Sequence, residues 1–139
     1  MNYVLKENDE IVINLAKKES QNITPEKIDL DIVYEDKDII VINKSPNMVV
    51  HPTKRYQSGT LANGLLYYFK ESNQDCIVRL VSRLDMDTSG LIIVAKNQYA
   101  HSELSNQMQN NNVEKRYLAL VHGHFSEKEG TIDLPIYRP

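Results

Sequence analysis

A chain of 139 residues with 41% hydrophobic composition holds enough apolar material for one core, near the modal domain size. It has no run of about 18 apolar residues and no basic-apolar leader at Met1, so neither membrane insertion nor secretion is indicated and the cytoplasm is the expected compartment. The net charge of −3 argues against a nucleic-acid surface, but residues 1 to 40 hold 5 Lys and Arg against 10 Asp and Glu, leaving 11 against 9 beyond them.

In chain order, residues 16 to 29 are polar and interrupted by Pro25, and read as a linker. Ile32-Val33-Tyr34 and Ile39-Ile40-Val41-Ile42, separated by four polar residues, predict a hairpin. Met48-Val49-Val50 reads as a short strand. Thr60 is placed to cap a helix through about Phe69, whose Leu61, Leu65 and Phe69 recur at helical spacing and form a core stripe. Ile77 to Val81 and Leu91 to Ala95 are β-runs, apolar enough to suggest cover on both faces. A polar helix follows from about Gln98 to Asn110, with Leu104 and Met108 inward, and Tyr117 to Val121 predicts a further strand. The sum is an α+β chain rich in strands. The lone Cys76 cannot form an internal disulfide and reads as a small apolar residue. His122 and His124 share one face of the last expected strand, but no Cys or carboxylate pattern completes a metal site.

Between the two β-runs lies Val81-Ser82-Arg83-Leu84-Asp85-Met86-Asp87-Thr88-Ser89-Gly90. Two acids, a cation and two hydroxyls in a turn are what a rigid scaffold presents for chemistry. The opening D-x-D-x-S-G matches a calcium loop, but the twelfth position from Asp85 is Lys96 instead of a bidentate Glu, and a β-run follows where a helix is needed. A plain turn, with Asp87 and Ser89 bonded to nearby backbone, accounts for those two residues. It accounts less well for Asp85, beside a strand-like Arg-Leu.

Arg83-Leu84-Asp85 with Thr88-Ser89-Gly90-Leu91 resembles the R-L-D-x-x-T-S-G-L signature of the pseudouridine synthases of the RluA type. Further pieces fall in that family's order: Tyr34-Glu35-Asp36, then Asn43-Lys44 and Val50-His51-Pro52; Gly59-Thr60-Leu61-Ala62-Asn63; Lys115-Arg116-Tyr117-Leu118-Ala119; and Gly130 to Pro139. Ser45 and Asn47 stand where the family has Pro and Gly, and Asn tolerates the left-handed backbone that Gly would supply. Ser82 stands in place of a common His. The T-G-R-T-H-Q-I-R-like segment that follows in the family is not in this sequence, and Tyr3 to Ile13 resembles the last strand of an S4-type module. The resemblance therefore implies a chain clipped at both ends. Its parts are a remnant of an S4-like RNA-binding module over 1–15, the linker over 16–29 and the front half of the catalytic domain over 30–139. The implied fold is a mixed, mainly antiparallel sheet with flanking helices.

The implied reaction converts a uridine in RNA to pseudouridine, with no cofactor or metal. Asp85 matches the catalytic Asp. A carboxylate there can stabilise charge at C1′, attack it, or remove a ribose proton. Arg83 matches the residue that fills the space of the extruded nucleotide and meets phosphate, and Tyr117 the ring that packs on the uracil. Thr88, Lys44 and His51 are the remaining residues expected on the substrate side. Ribosomal or transfer RNA is the expected partner; phosphate contacts do not tell them apart. A catalytically incomplete RNA-binding fragment is the alternative. A glycoside hydrolase is disfavoured, because Asp85 and Asp87 are too close in sequence to flank a sugar.

Overall fold

The structure is a computed structural model that describes residues 3, 4, 6–12 and 21–137. Four strands and two helices run in the order β1 (Ile32–Glu35), β2 (Ile39–Lys44), α1 (Leu61–Glu71), β3 (Arg79–Leu80), β4 (Gly90–Ala95), α2 (Gln98–Gln109). The strands form one antiparallel sheet in the order β1-β2-β4-β3, the α+β class expected.

The β1–β2 hairpin closes because the Asp36 carboxylate accepts from the Asp38 and Ile39 amides, both at 2.8 Å, an Asx-type turn. β2 then pairs with β4 along its whole length, from Ile39 opposite Ala95 to Lys44 opposite Gly90. The period of two puts Ile40, Ile42, Ile92 and Val94 on one face, where they meet Leu61, Leu65 and Phe69 of α1 in a single buried cluster. The opposite face was expected to be covered and is not: Leu91 is 65% exposed, and Val41 and Ile93 are half-buried. α2 packs beside β3 and β4, but its polar composition buries only Ala100, and Leu104 and Met108 reach half-burial.

Helix α1 starts where its capping chemistry places it. The Thr60 hydroxyl accepts from the Asn63 amide while the Asn63 carboxamide accepts from the Thr60 amide, a reciprocal capping box. Asn63 is fully buried and also donates to the Thr24 carbonyl at 2.7 Å. Residues 21–29 contain no helix or strand, yet they lie along the core. The Gln21 carboxamide brackets Val78 with two bonds of 2.7 Å, standing in for a neighbouring strand, and Gly64 lets Ile28 and Leu30 approach α1 so closely that a Cβ would sit 3.1 Å from Ile28.

Several expected strands do not form. Met48 to Val50 joins no ladder, because its carbonyls serve the helix: Val49 and Val50 accept from the Leu61 and Ala62 amides at 2.9 and 3.0 Å, two of the donors a helix start leaves free. Ile77 to Val81 shortens to Arg79–Leu80. Tyr117 to Val121 finds no partner edge among the described residues, and Leu118 and Leu120 are fully exposed; the face expected to bring His122 and His124 together is therefore not made. Of the stretch Tyr3 to Ile13, Leu5 and Ile13 lie outside the described residues, as do residues 16–20 of the expected linker and Arg138 and Pro139. The described part of the N-terminal stretch is no strand but holds a turn, with the Asp9 amide donating to the Lys6 carbonyl at 3.1 Å.

Beyond the end of β4, Lys96 ties the sheet to the hairpin turn. Its ammonium donates to Glu35 Oε1 at 2.7 Å and to the Asp36 carbonyl at 2.6 Å, and Tyr68 and Gln74 donate to the same carboxylate at 2.6 and 3.0 Å. Burial alone would raise the Glu35 carboxyl, but the bonds from Lys96, Tyr68 and Gln74 and the charge of Lys96 outweigh it, so the net shift is downward from 4.5. A lowered carboxyl contributes stability that is present above pH 4.5 and is lost as pH falls through the folded-state value. Chemical denaturation at pH 7 and pH 3 is expected to show that Glu35→Gln lowers stability at neutral pH and narrows the difference between the two conditions; an unchanged difference would remove Glu35 from the acid response.

Candidate active site

The acidic segment connects Leu80 of β3 to Gly90 of β4, and it alternates. Leu84, Met86 and Thr88 are half-buried, with Leu84 against the core, while Arg83, Asp85, Asp87 and Ser89 are exposed. The turn is closed by backbone: the Thr88 amide donates to the Asp85 carbonyl at 3.2 Å. The Asp87 and Ser89 side chains, expected to bond to nearby backbone, are exposed, and no such bond is seen among the described residues. Gly90 enters β4 at φ +123, a conformation that L side chains rarely adopt.

Beneath this loop sits Lys44, the last residue of β2, only 1% exposed. Its ammonium donates to the carbonyls of Ser45 at 2.8 Å, Met48 at 2.9 Å and Met86 at 3.0 Å, so its three protons each have an acceptor. The Met86 carbonyl also accepts from the Met48 amide at 3.2 Å. Burial pushes the ammonium below its ordinary value, and the Asp87 charge opposes that shift. The turn between Lys44 and Met48 holds its shape because Asn47 takes φ 60, the left-handed conformation expected of it. Expected on the substrate side, Lys44 instead has its charged end committed inside the protein. It clamps the peptide that follows Asp85 to the end of the central strand pair.

A cavity of about 870 Å³ opens over the uncovered face of the sheet. Val41, Leu91 and Ile93 form its apolar floor, Asp87, Thr88 and Ser89 one rim, and residues 113–118 the other. The structure thus brings Thr88 and Tyr117 to one space, with Tyr117 67% exposed. Asp85 and Arg83 lie on the same loop, exposed but outside the lining, and no ion pair between them is seen among the described residues. His51 is exposed on the loop before α1 and does not line this cavity.

Two features went unread in the sequence. Lys44 falls in phase with Ile40 and Ile42, so the period of two already marked it as buried. Glu114 binds Arg116 at the cavity rim, an i to i+2 pair whose only signal in the sequence is the same-face spacing of an extended segment.

Residues 38–138 match the family model described as RNA pseudouridylate synthase, and the chain belongs to that family. Over 137 residues it is 42% identical to a Bacillus subtilis protein named Uncharacterized RNA pseudouridine synthase YjbO, covering 98% of this chain and 48% of that one. It is 41% identical over 130 residues to ribosomal large subunit pseudouridine synthase D of Escherichia coli, covering 94% of this chain and 40% of that one. Human RNA Pseudouridylate Synthase Domain Containing 1 superposes with a TM-score of 0.56 at 32% identity, over 71% of this chain and 35% of that chain. The chain spans less than half the length of these relatives.

Replacing Lys44 by Met keeps the bulk and removes the donors, leaving buried carbonyls that each cost about 1–3 kcal/mol when unsatisfied. The expected result is a net loss of stability of about that size, with faster hydrogen exchange at the Met48 and Thr88 amides. Exchange unchanged at both amides would show that the ammonium does not hold the loop.

Proposed function

We propose that this chain carries the catalytic-Asp part of an enzyme that converts uridine in RNA to pseudouridine. The observation that carries the reading is the family match across 38–138, which includes the Arg83-Leu84-Asp85 loop and its Lys44 clamp. In the proposed reaction the N1–C1′ bond breaks, the uracil turns, and C5 bonds to C1′ while the C5 hydrogen leaves as a proton and N1 takes one from solvent. No electrons are gained or lost overall, so neither a redox cofactor nor an energy source enters.

Asp85 is the catalytic group, exposed on the loop between β3 and β4. Clamping of Met86 holds the adjacent peptide, which suits a carboxylate that must meet C1′ at a defined distance. Arg83 fills the stack vacated by the extruded nucleotide and contacts phosphate. Tyr117 packs on the uracil with Thr88 across the same cavity, and the apolar floor supports the base. His51, exposed on the loop that leaves the Lys44 turn, contacts the RNA outside that cavity. The RNA is ribosomal or transfer, and the site of action is the cytoplasm; no helix among the described residues is long and apolar enough to cross a membrane. Residues 1–15 end a preceding S4-like RNA-binding module, and 16–29 link it to the domain.

A second reading, a catalytically incomplete RNA-binding unit, is favoured by one observation: Asp85 and Arg83 stand outside the lining of the cavity that Tyr117 and Thr88 share. Tritium release from RNA labelled at uracil C5 separates the two, run on this chain and on the longest natural chain that contains it. Under the catalytic reading, Asp85→Asn lowers release by at least about 1000-fold while RNA affinity stays nearly constant. Undiminished release from the variant would remove Asp85 as the catalyst. Absence of release from both unsubstituted chains would leave RNA binding alone.

A further inference from the structure

We infer that Arg116 is a fork for a backbone phosphate of the RNA, and that Glu114 occupies this fork until RNA displaces it. The inference rests on the proposed RNA site. Arg116 Nε donates to Glu114 Oε1 at 2.8 Å and Nη2 donates to Oε2 at 3.0 Å. This two-pronged geometry is the one that guanidinium makes with carboxylate and with phosphate alike. Both residues line the cavity rim beside Tyr117, across from Thr88.

The pair has little structural purpose. It joins residues two apart in a segment without helix or strand, so it ties no elements together, unlike the Lys96–Glu35 pair, which binds the end of β4 to β1 at side-chain exposures of 8% and 19%. The side chains of Arg116 and Glu114 are 83% and 72% exposed. In water such a pair is weak, and another oxyanion can replace the carboxylate without moving any packed group. Arg116 immediately precedes Tyr117, so a nucleotide whose base lies on that ring has its backbone within reach of the fork. While the site is empty, Glu114 holds the guanidinium in a binding geometry and cancels its charge, which lowers affinity for stray anions.

Anisotropy of a fluorescein-labelled, uridine-containing single-stranded RNA, titrated at several salt concentrations, tests this on the wild-type chain, Glu114→Gln, Arg116→Gln and the double variant. Both residues are exposed, so folding is not at stake. Glu114→Gln is expected to tighten binding about two- to fivefold, the range set by the weakness of exposed pairs. Arg116→Gln is expected to weaken binding and to reduce the slope of log K against log salt by about 0.7, one phosphate contact on a single strand. In the Arg116→Gln background the Glu114 change should give no further tightening. Equal tightening in both backgrounds would overturn the inference, making Glu114 only a repelling charge; so would no tightening in the single variant, or a salt slope indifferent to Arg116. Wild-type chain without RNA affinity at low salt would sink the RNA reading along with the fork, whereas RNA binding indifferent to both residues would sink the fork alone.

Discussion

The buried ammonium of Lys44 joins more of this structure than any single apolar contact. Removing an ammonium from water costs several kcal/mol, which hydrogen bonds must offset, and the carbonyls of Ser45, Met48 and Met86 do so from three directions. Each acceptor fixes a different piece of chain. Ser45 and Met48 set the turn after β2, and Met86 sets the loop that presents Asp85. The two residues after Met48 pass carbonyls to the first amides of α1. Strand end, turn, helix start and acidic loop are therefore one connected unit.

A second ammonium closes the other end of the same strand pair. Lys44 sits where β2 meets Gly90, and Lys96 follows Ala95, which pairs with Ile39. Chemically the two ends differ. Lys44 meets only carbonyls, with Asp87 as a nearby charge. Lys96 meets an ionised carboxylate whose remaining bonds come from Tyr68 and Gln74. One end holds the exposed acidic loop and keeps its own charge inside the protein; the other locks the hairpin turn and α1 to the sheet.

The two faces of the sheet are covered unequally. α1 seals one face, and the other is left with Val41, Leu91 and Ile93 under an open cavity. An apolar floor with polar rims suits a flat heterocycle, whose faces are apolar and whose edges hydrogen-bond. Tyr117 supplies a ring at the rim without needing to belong to a strand. The polar character of α2 follows from its position at the side of this opening, where it buries little.

Local signals were legible wherever the responsible groups are neighbours in the chain. The Thr60 cap, the Leu61, Leu65 and Phe69 stripe and the β1–β2 hairpin each depend on contacts within about one helical turn or hairpin, so spacing and residue type were enough. The acidic loop and its left-handed Asn47 neighbour were legible for the same reason, since backbone sterics act residue by residue. Met48 to Val50 and Tyr117 to Val121 were misread because a strand exists only if an edge pairs with it, and composition does not say which edge is free. The buried ammonium of Lys44 depends on carbonyls up to Met86, and the separation of Asp85 from the cavity that holds Tyr117 depends on the path of the whole loop. Sequence by itself determined the chemistry at each position and the short-range backbone that carries it; tertiary structure alone decided which carbonyls, faces and charges meet, because desolvation and pairing act through space between residues far apart in the chain.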